Sequence, residues 1–409
     1  MTTTSTTPTD GSSLGSPHHY RLAILALSMG GFAIGTTEFV SMGLLPQLAR
    51  AVQVSNPVAG HAISSYAVGV VVGAPLVAFL GSRWPRRGLL MGLMAAFALG
   101  NAATALATSY PGLLVARFAA GLPHGAYFGV ASLVAASLAR PGREGRAVAS
   151  VMLGLSFANV LGVPAATWLG QTLDWRAAYW LVSVLGLLTL ALVALYIPSR
   201  PGDRESHWRR ELAALGQPQV LLTLLAGAVG FGGMFAVYTY IVPTLTEVGG
   251  LSESVAPVFL LAFGLGMIGG TWAAGEMASW SVFRSMFIGG AGQGVLLLAF
   301  AWLAPYAWLT LPVLFGITFT GSILVVNLQL RLMHVSGDAQ TMGAAMNHAS
   351  LNIANALGAW LGGLVIAAGL GYRAPGVVGA ALALVGVVVL YVSLHLHRTE
   401  LARAGCDLT

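Results

Sequence analysis

Residues 30–46 read Gly30-Gly31-Phe32-Ala33-Ile34-Gly35-Thr36-Thr37-Glu38-Phe39-Val40-Ser41-Met42-Gly43-Leu44-Leu45-Pro46, an apolar run with a carboxylic acid near its middle. A run of this length and composition reads as a helix crossing a bilayer. A charge at the centre of the hydrocarbon costs roughly 2.5–3.5 kcal/mol on insertion scales. Almost every other acid in the chain lies in a loop or a tail, so Glu38 is the first candidate for proton or ion coupling.

The surrounding chain agrees with a membrane setting. Of 409 residues 56% are hydrophobic and only 8% charged, against about 25% charged in a soluble domain. Runs of about twenty apolar residues recur from Tyr20 to His395, each able to span roughly 30 Å of hydrocarbon. They fall near 20–46, 58–80, 88–108, 112–139, 147–170 and 177–197, then near 218–245, 255–276, 282–304, 307–333, 342–370 and 375–396. The plan is an all-α polytopic membrane protein: a disordered tail (1–17), a six-helix bundle (18–197), a charged linker (198–217), a second six-helix bundle (218–396) and a short tail (397–409). Within the linker, Trp208, Leu212 and Leu215 share a face suited to a short interfacial helix. A cleavable signal peptide is disfavoured, because no basic residue precedes Arg21 and the first apolar run is long.

All nineteen basic residues are arginines, and the formal net charge is +6. They are scattered through short loops, so the charge does not point to nucleic acid. With both termini inside, the cytoplasm receives Arg21, Arg83, Arg86, Arg87, Arg140, Arg143, Arg146, Arg200, Arg204, Arg209, Arg210, Arg284, Arg331, Arg398 and Arg403. The other side receives Arg50, Arg176 and Arg373. This asymmetry sets the expected topology, with both termini cytoplasmic. Arg117 alone is left well inside a span. The one cysteine, Cys406, has no partner for an intrachain disulfide and fits a cytosolic tail.

Two six-span halves joined by a cytoplasmic linker resemble the major facilitator superfamily, and specific motifs narrow the likeness. The first-span pattern Gly35–Pro46 is similar to that of the twelve-span drug:proton antiporter family, in the branch of bacterial chloramphenicol exporters and sugar-efflux proteins. The loop Ala78-Phe79-Leu80-Gly81-Ser82-Arg83-Trp84-Pro85-Arg86-Arg87 resembles the superfamily's Gly-x-x-x-Asp-Arg-x-Gly-Arg-Arg motif. Ser82 stands where that motif has aspartate and Pro85 where it has glycine, which puts the usual gating ion pair in doubt. Leu113-Leu114-Val115-Ala116-Arg117-Phe118-Ala119-Ala120-Gly121 matches the family's intramembrane arginine. A guanidinium there needs an acceptor, either Glu38 or carbonyls of the first half; the bland alternative is that it snorkels to an interface.

In the fifth span, Gly162-Val163-Pro164 matches the antiporter signature. Gly154, Ala158, Gly162, Ala166 and Gly170 form a small-residue stripe on which another helix can approach closely, and Pro164 permits a bend. The eleventh span carries Asn347, His348, Asn352 and Asn355, which face either a cavity or neighbouring helices; of these only His348 titrates near neutral pH. The seventh span has Phe235, Tyr238 and Tyr240, with the two tyrosines on different faces.

The resemblance implies substrate binding near the midplane between the halves. The expected lining is Thr37, Met42, Tyr127, Asn159, Phe235, Tyr238, Asn347, His348, Asn352 and Asn355. Glu38 and Arg117 are expected to couple protons, and Arg83, Arg86, Arg87, Gly154, Gly162 and Pro164 to serve gating. The implied function is proton-driven export of small uncharged or weakly polar molecules, amphenicol-like drugs first, sugars or nucleosides next and uptake last. The implied partners are substrate, protons and lipid, with the chain a monomer in the bacterial cytoplasmic membrane. No cofactor or metal is expected. The absence of His-Glu-x-x-His, of Gly-x-Ser-x-Gly and of any intramembrane cysteine argues against an enzyme.

Overall fold

A computed structural model describes residues 17–81, 84–140, 143–199, 216–336 and 340–403. The N-terminal tail, Ser82, Arg83 and the core of the linker, with its expected interfacial helix, lie outside these residues. The regular elements of the described residues are all helices, with no strand among them. With the backbone polar groups in hydrocarbon satisfied only internally, a helix is the form an apolar span can take.

The helices, in chain order, are α1 Pro17–Gly43, α2 His61–Gly81, α3 Arg86–Leu106 and α4 Tyr110–Leu138. Next comes α5, Glu144–Phe157 continued through a π turn Ala158–Gly162 into Val163–Thr172, and then α6 Trp175–Tyr196. The second half holds α7 (Pro218–Gly230 continued as Gly232–Thr239), α8 Ala256–Trp280, α9 Val282–Leu303, α10 Ala307–Val335, α11 Gln340–Val365 and α12 Ala374–Arg403. Eleven helices among the described residues are long and apolar enough to cross a membrane. The expected second position is held by α2, whose side chains from residue 74 on lie outside the described set. The final helix extends past residue 396, into what the sequence assigned to the tail.

Burial separates central helices from peripheral ones. The apolar window of α1 is 78% buried, that of α12 only 28%. A helix that must bury itself all round sits at the centre of the bundle, and α1 carries the acid. The periphery is apolar, with Leu99, Leu195, Trp272 and Val295 exposed, the inverse of a water-facing surface and the property that a lipid-facing one needs.

The stripe on α5 meets α1 as its spacing predicts. A Cβ on Gly154 would lie 2.0 Å from the Ser28 carbonyl, and one on Gly162 would lie 2.2 Å from Thr36 Oγ1. One on Gly170 would reach Leu44 at 2.6 Å. The π turn sits just before Pro164, where the missing N–H already interrupts the α-helical ladder. The halves meet where α2 packs on α11 and α5 on α8.

Candidate functional site

Glu38 lies on α1 and is 6% exposed. Its neighbours Thr36, Thr37 and Ser41 are also buried, and each spends its hydroxyl on a partner. Thr36 Oγ1 donates to the Phe32 carbonyl (2.8 Å), Thr37 Oγ1 to Asn101 Oδ1 on α3, and Ser41 Oγ pairs with Tyr179 OH on α6 (2.8 Å). Asn101 is fixed in turn, because its Nδ2 donates to the Phe97 carbonyl (2.9 Å).

Arg117 on α4 is fully buried, so it does not snorkel. It uses the carbonyl route, not the carboxylate one. Nη1 donates to Thr37 Oγ1 (3.2 Å) and Nη2 to the Thr37 carbonyl (3.3 Å). The guanidinium lies 4.2 Å from the Tyr66 ring centroid and 5.6 Å from that of Tyr179, a cation–π setting. Among the described residues the ion pairs are Arg50–Glu253 and Arg176–Asp174, so Arg117 and Glu38 are electrostatic neighbours without being a pair.

From the second half, Asn355 on α11 faces Glu38, yet both its amide atoms are buried without a hydrogen bond of normal length. Asn352 Nδ2 donates to the His348 carbonyl (3.0 Å) and Asn159 Nδ2 to the Leu155 carbonyl (3.0 Å). Each of those two asparagines therefore has its Oδ1 left over, buried and unpartnered, as is that of Asn347. His348 stacks on Phe128 of α4, with centroids 5.4 Å apart.

The aromatic residues form a second wall. Tyr238 of α7 stacks on Phe263 of α8 (3.7 Å). Phe39 enters from the first half, 6.3 Å from Phe235, 5.8 Å from Tyr238 and 6.1 Å from Phe263, with Met42 in the same cluster. The Tyr238 hydroxyl has no partner, whereas Tyr240 donates to the Ala359 carbonyl (2.8 Å). Tyr127, expected in the lining, commits its hydroxyl to the Leu27 carbonyl (2.9 Å) and ties α4 to α1. In the loop motif, Arg87 donates to the Ala194 carbonyl at the end of α6 and Arg86 is half-buried, while Arg83 lies outside the described residues.

At the end of the bundle opposite the termini, the halves are joined by a latch. Arg50 Nη1 and Nη2 donate to Glu253 Oε1 (2.8 Å) and Oε2 (3.1 Å). Gln47 adds a bond to Oε2 (2.8 Å) and Gln171 one to the Glu253 carbonyl (3.0 Å). Asn56 Nδ2 reaches Tyr372 OH (3.0 Å), and a cavity of 330 Å³ opens beside these residues.

Sequence reasoning missed several polar residues. Tyr66 and His124 are buried, with Tyr66 OH 3.1 Å from His124 Nδ1. Arg331, counted among the cytoplasmic arginines at the end of the tenth span, lies within α10, is 7% exposed and donates from Nη2 to Gln219 Oε1 (3.2 Å). Arg117 is thus not the only arginine inside a helix. The signal available was weak: a buried polar partner, Gln219, at the start of the seventh span.

The model of the Major Facilitator Superfamily matches residues 27–347. The inner membrane transport protein YdhP of Escherichia coli K12 is 40% identical over 381 residues, covering 90% of this chain and 95% of that protein. A chloramphenicol resistance protein of Streptomyces lividans is 36% identical over 359 residues, covering 86% and 90%. Among solved structures, a bacterial homologue of the human lysosomal transporter Spinster, crystallised inward-facing and unoccupied, superposes with a TM-score of 0.70 at 14% identity, covering 93% and 96%.

Proposed function

The chain belongs to the Major Facilitator Superfamily, and from that premise we propose that it is a proton-coupled exporter of small, uncharged or weakly polar compounds in a bacterial cytoplasmic membrane, with chloramphenicol-like molecules as its substrate class. The observation that carries this reading is Glu38. It is a buried carboxyl at the seam between halves, without an ion pair among the described residues and faced by the Asn355 amide, which makes no hydrogen bond of normal length. A carboxyl in that position gains or loses a proton at little cost to the packing around it. A bound substrate can offer hydrogen bonds to the same groups.

In this mechanism Glu38 takes a proton when the seam opens away from the termini and releases it when the seam opens toward them. Substrate moves the opposite way through the same seam. Arg117, held by Thr37, keeps a fixed positive charge near the acid without neutralising it through contact. Each state is favoured only by the occupant that it binds better. The substrate class rests on the Streptomyces relative and on the lining, which offers aromatic faces and amide oxygens and, among the described residues, no charge beyond Glu38 and the Thr37-held Arg117.

The test is chloramphenicol accumulation in a pump-deficient bacterium, comparing wild type with Glu38→Gln, each with and without a protonophore. Lower accumulation that needs both Glu38 and the proton gradient is the expected result. Export by Glu38→Gln equal to wild type would sink the coupling role. No difference between wild type and empty vector would move the substrate to sugars or nucleosides.

A further inference from the structure

Arg117 and His124 lie seven positions apart on α4, as do His348 and Asn355 on α11. At 1.5 Å rise per residue each interval is about 10 Å. α4 runs toward the end of the bundle that holds the termini and α11 runs away from it, so both histidines are displaced in the same sense. The layer of Glu38, Arg117 and Asn355 therefore has a second layer, His124 and His348, about 10 Å nearer the termini.

The two layers are connected. Tyr66 on α2 carries the Arg117 guanidinium over its ring, lies within electrostatic reach of Glu38, and places its hydroxyl 3.1 Å from His124 Nδ1. His124 and His348 lie within electrostatic reach of each other. Phe128 stands between them, stacked on His348 at 5.4 Å and edge-on to His124 at 5.5 Å. The titratable groups facing His124 are thus Tyr66 from α2 and His348 from α11; His348 is faced by His124 and by the Phe128 ring. Within this layer His124 is 2% exposed and His348 is half-buried, so His348 is the member nearer to water.

We infer that His124 and His348 form an inner proton station, through which Glu38 exchanges its proton with water at the termini end of the bundle. The inference rests on the coupling role proposed for Glu38. In the release step the O–H bond of the Glu38 carboxyl breaks. The Tyr66 hydroxyl passes its proton to His124 Nδ1 and takes the one arriving from Glu38, directly or through water. An imidazolium forms while Tyr66 stays neutral. The N–H bond of the His124 imidazolium then breaks as water carries the proton past the Phe128 ring to His348, which passes it to bulk water as hydronium. At the far end the halves are tied by the Arg50–Glu253 latch.

The test needs no substrate. Detergent-solubilised protein in unbuffered solution is stepped from pH 9 to pH 5, and proton uptake is followed with a soluble pH dye. The Glu38 proton is the uptake that wild type shows and Glu38→Gln lacks, measured in each background. His124→Gln and His348→Gln are expected to keep that proton but to slow its uptake at least fivefold, with melting temperatures close to wild type. A structural role for the histidines would change melting without this kinetic split. Should His124→Gln not fold, His348→Gln at its half-buried position carries the test. An uptake slowed less than fivefold in the folded variants overturns the station and leaves the coupling reading intact. Absence of any Glu38-dependent proton in wild type overturns both.

Discussion

Arg117 holds Thr37 and not Glu38. Two guanidinium nitrogens reach the hydroxyl and carbonyl of Thr37 at 3.2 and 3.3 Å, and the adjacent acid is left without an ion pair. A charge buried against neutral acceptors is held through geometry, because each acceptor supplies one directed bond. This leaves Glu38 free to change its protonation without releasing Arg117.

Thr37 is therefore expected to be worth more than its size suggests. Its hydroxyl donates to Asn101 and accepts from Arg117, so Thr37→Val leaves two buried polar groups short of a partner at unchanged volume. An unsatisfied buried group costs roughly 1–3 kcal/mol. Thr37→Val is expected to lower the melting temperature in detergent well below wild type, whereas Thr37→Ser, which keeps the hydroxyl, stays near it. Equal melting of the two variants would mean that the Arg117 contacts contribute little.

The Arg50–Glu253 latch is exposed, and exposed pairs contribute about 0–1 kcal/mol. Glu253→Gln is thus expected to shift the population open at that end by no more than about fivefold. The readout is alkylation of Ala59→Cys, a buried position at the inter-half cluster, in a Cys406→Ser background. Added salt should raise labelling in wild type and leave Glu253→Gln unchanged, because screening acts on the charged pair alone. The Glu253 carboxylate raises the already high pKa of Arg50. On the arginine side the contact is present below the ordinary arginine range and lost only above it, so pH 6 to 9 should not change labelling through Arg50.

Glycines in this chain divide by what a methyl group would meet. At Gly154 the new Cβ would fall 2.0 Å from the Ser28 carbonyl, a backbone atom that cannot swing away. At Gly92 it would meet nothing within 4 Å. Gly154→Ala is expected to cost about 1–3 kcal/mol through overpacking, and Gly92→Ala to be neutral or stabilising by up to about 1 kcal/mol. Thermal melts of the two variants decide this, and similar shifts would contradict the close α1–α5 approach.

The features readable from sequence were those set by composition along one helix. Span positions follow from apolar runs, the α5 stripe from four-residue spacing, and the importance of Glu38 and Arg117 from the cost of charge in hydrocarbon. What stayed hidden depends on how helices rotate against one another. Whether Arg117 faced Glu38 or Thr37 turns on a small rotation of α4 against α1. Tyr66 and His124 stand singly in apolar runs, and only the packing of α2 on α4 brings them together. Arg331 was counted at the cytoplasmic end because it stands near the end of an apolar run, where hydropathy falls before the helix stops. The π turn in α5 had only Pro164 as its sign, which permits a bend without specifying its form.

Asn355 separates stability from function most sharply. Both amide atoms are buried without a hydrogen bond of normal length although the side chain faces Glu38, so the resting protein recovers little of their desolvation. Replacing such a group by an apolar one of similar shape is neutral or stabilising. Asn355→Leu is expected to melt at or above the wild-type temperature, by up to about 1–3 kcal/mol in stability. If the amide meets substrate or the ionised acid during the cycle, the same variant should lose most of its export. Asn355→Gln, which keeps the amide but moves it by one methylene, should retain part of it. A variant that is both more stable and fully active would show that the amide has no role at the seam. One that is less stable would show that it has a partner in the folded state.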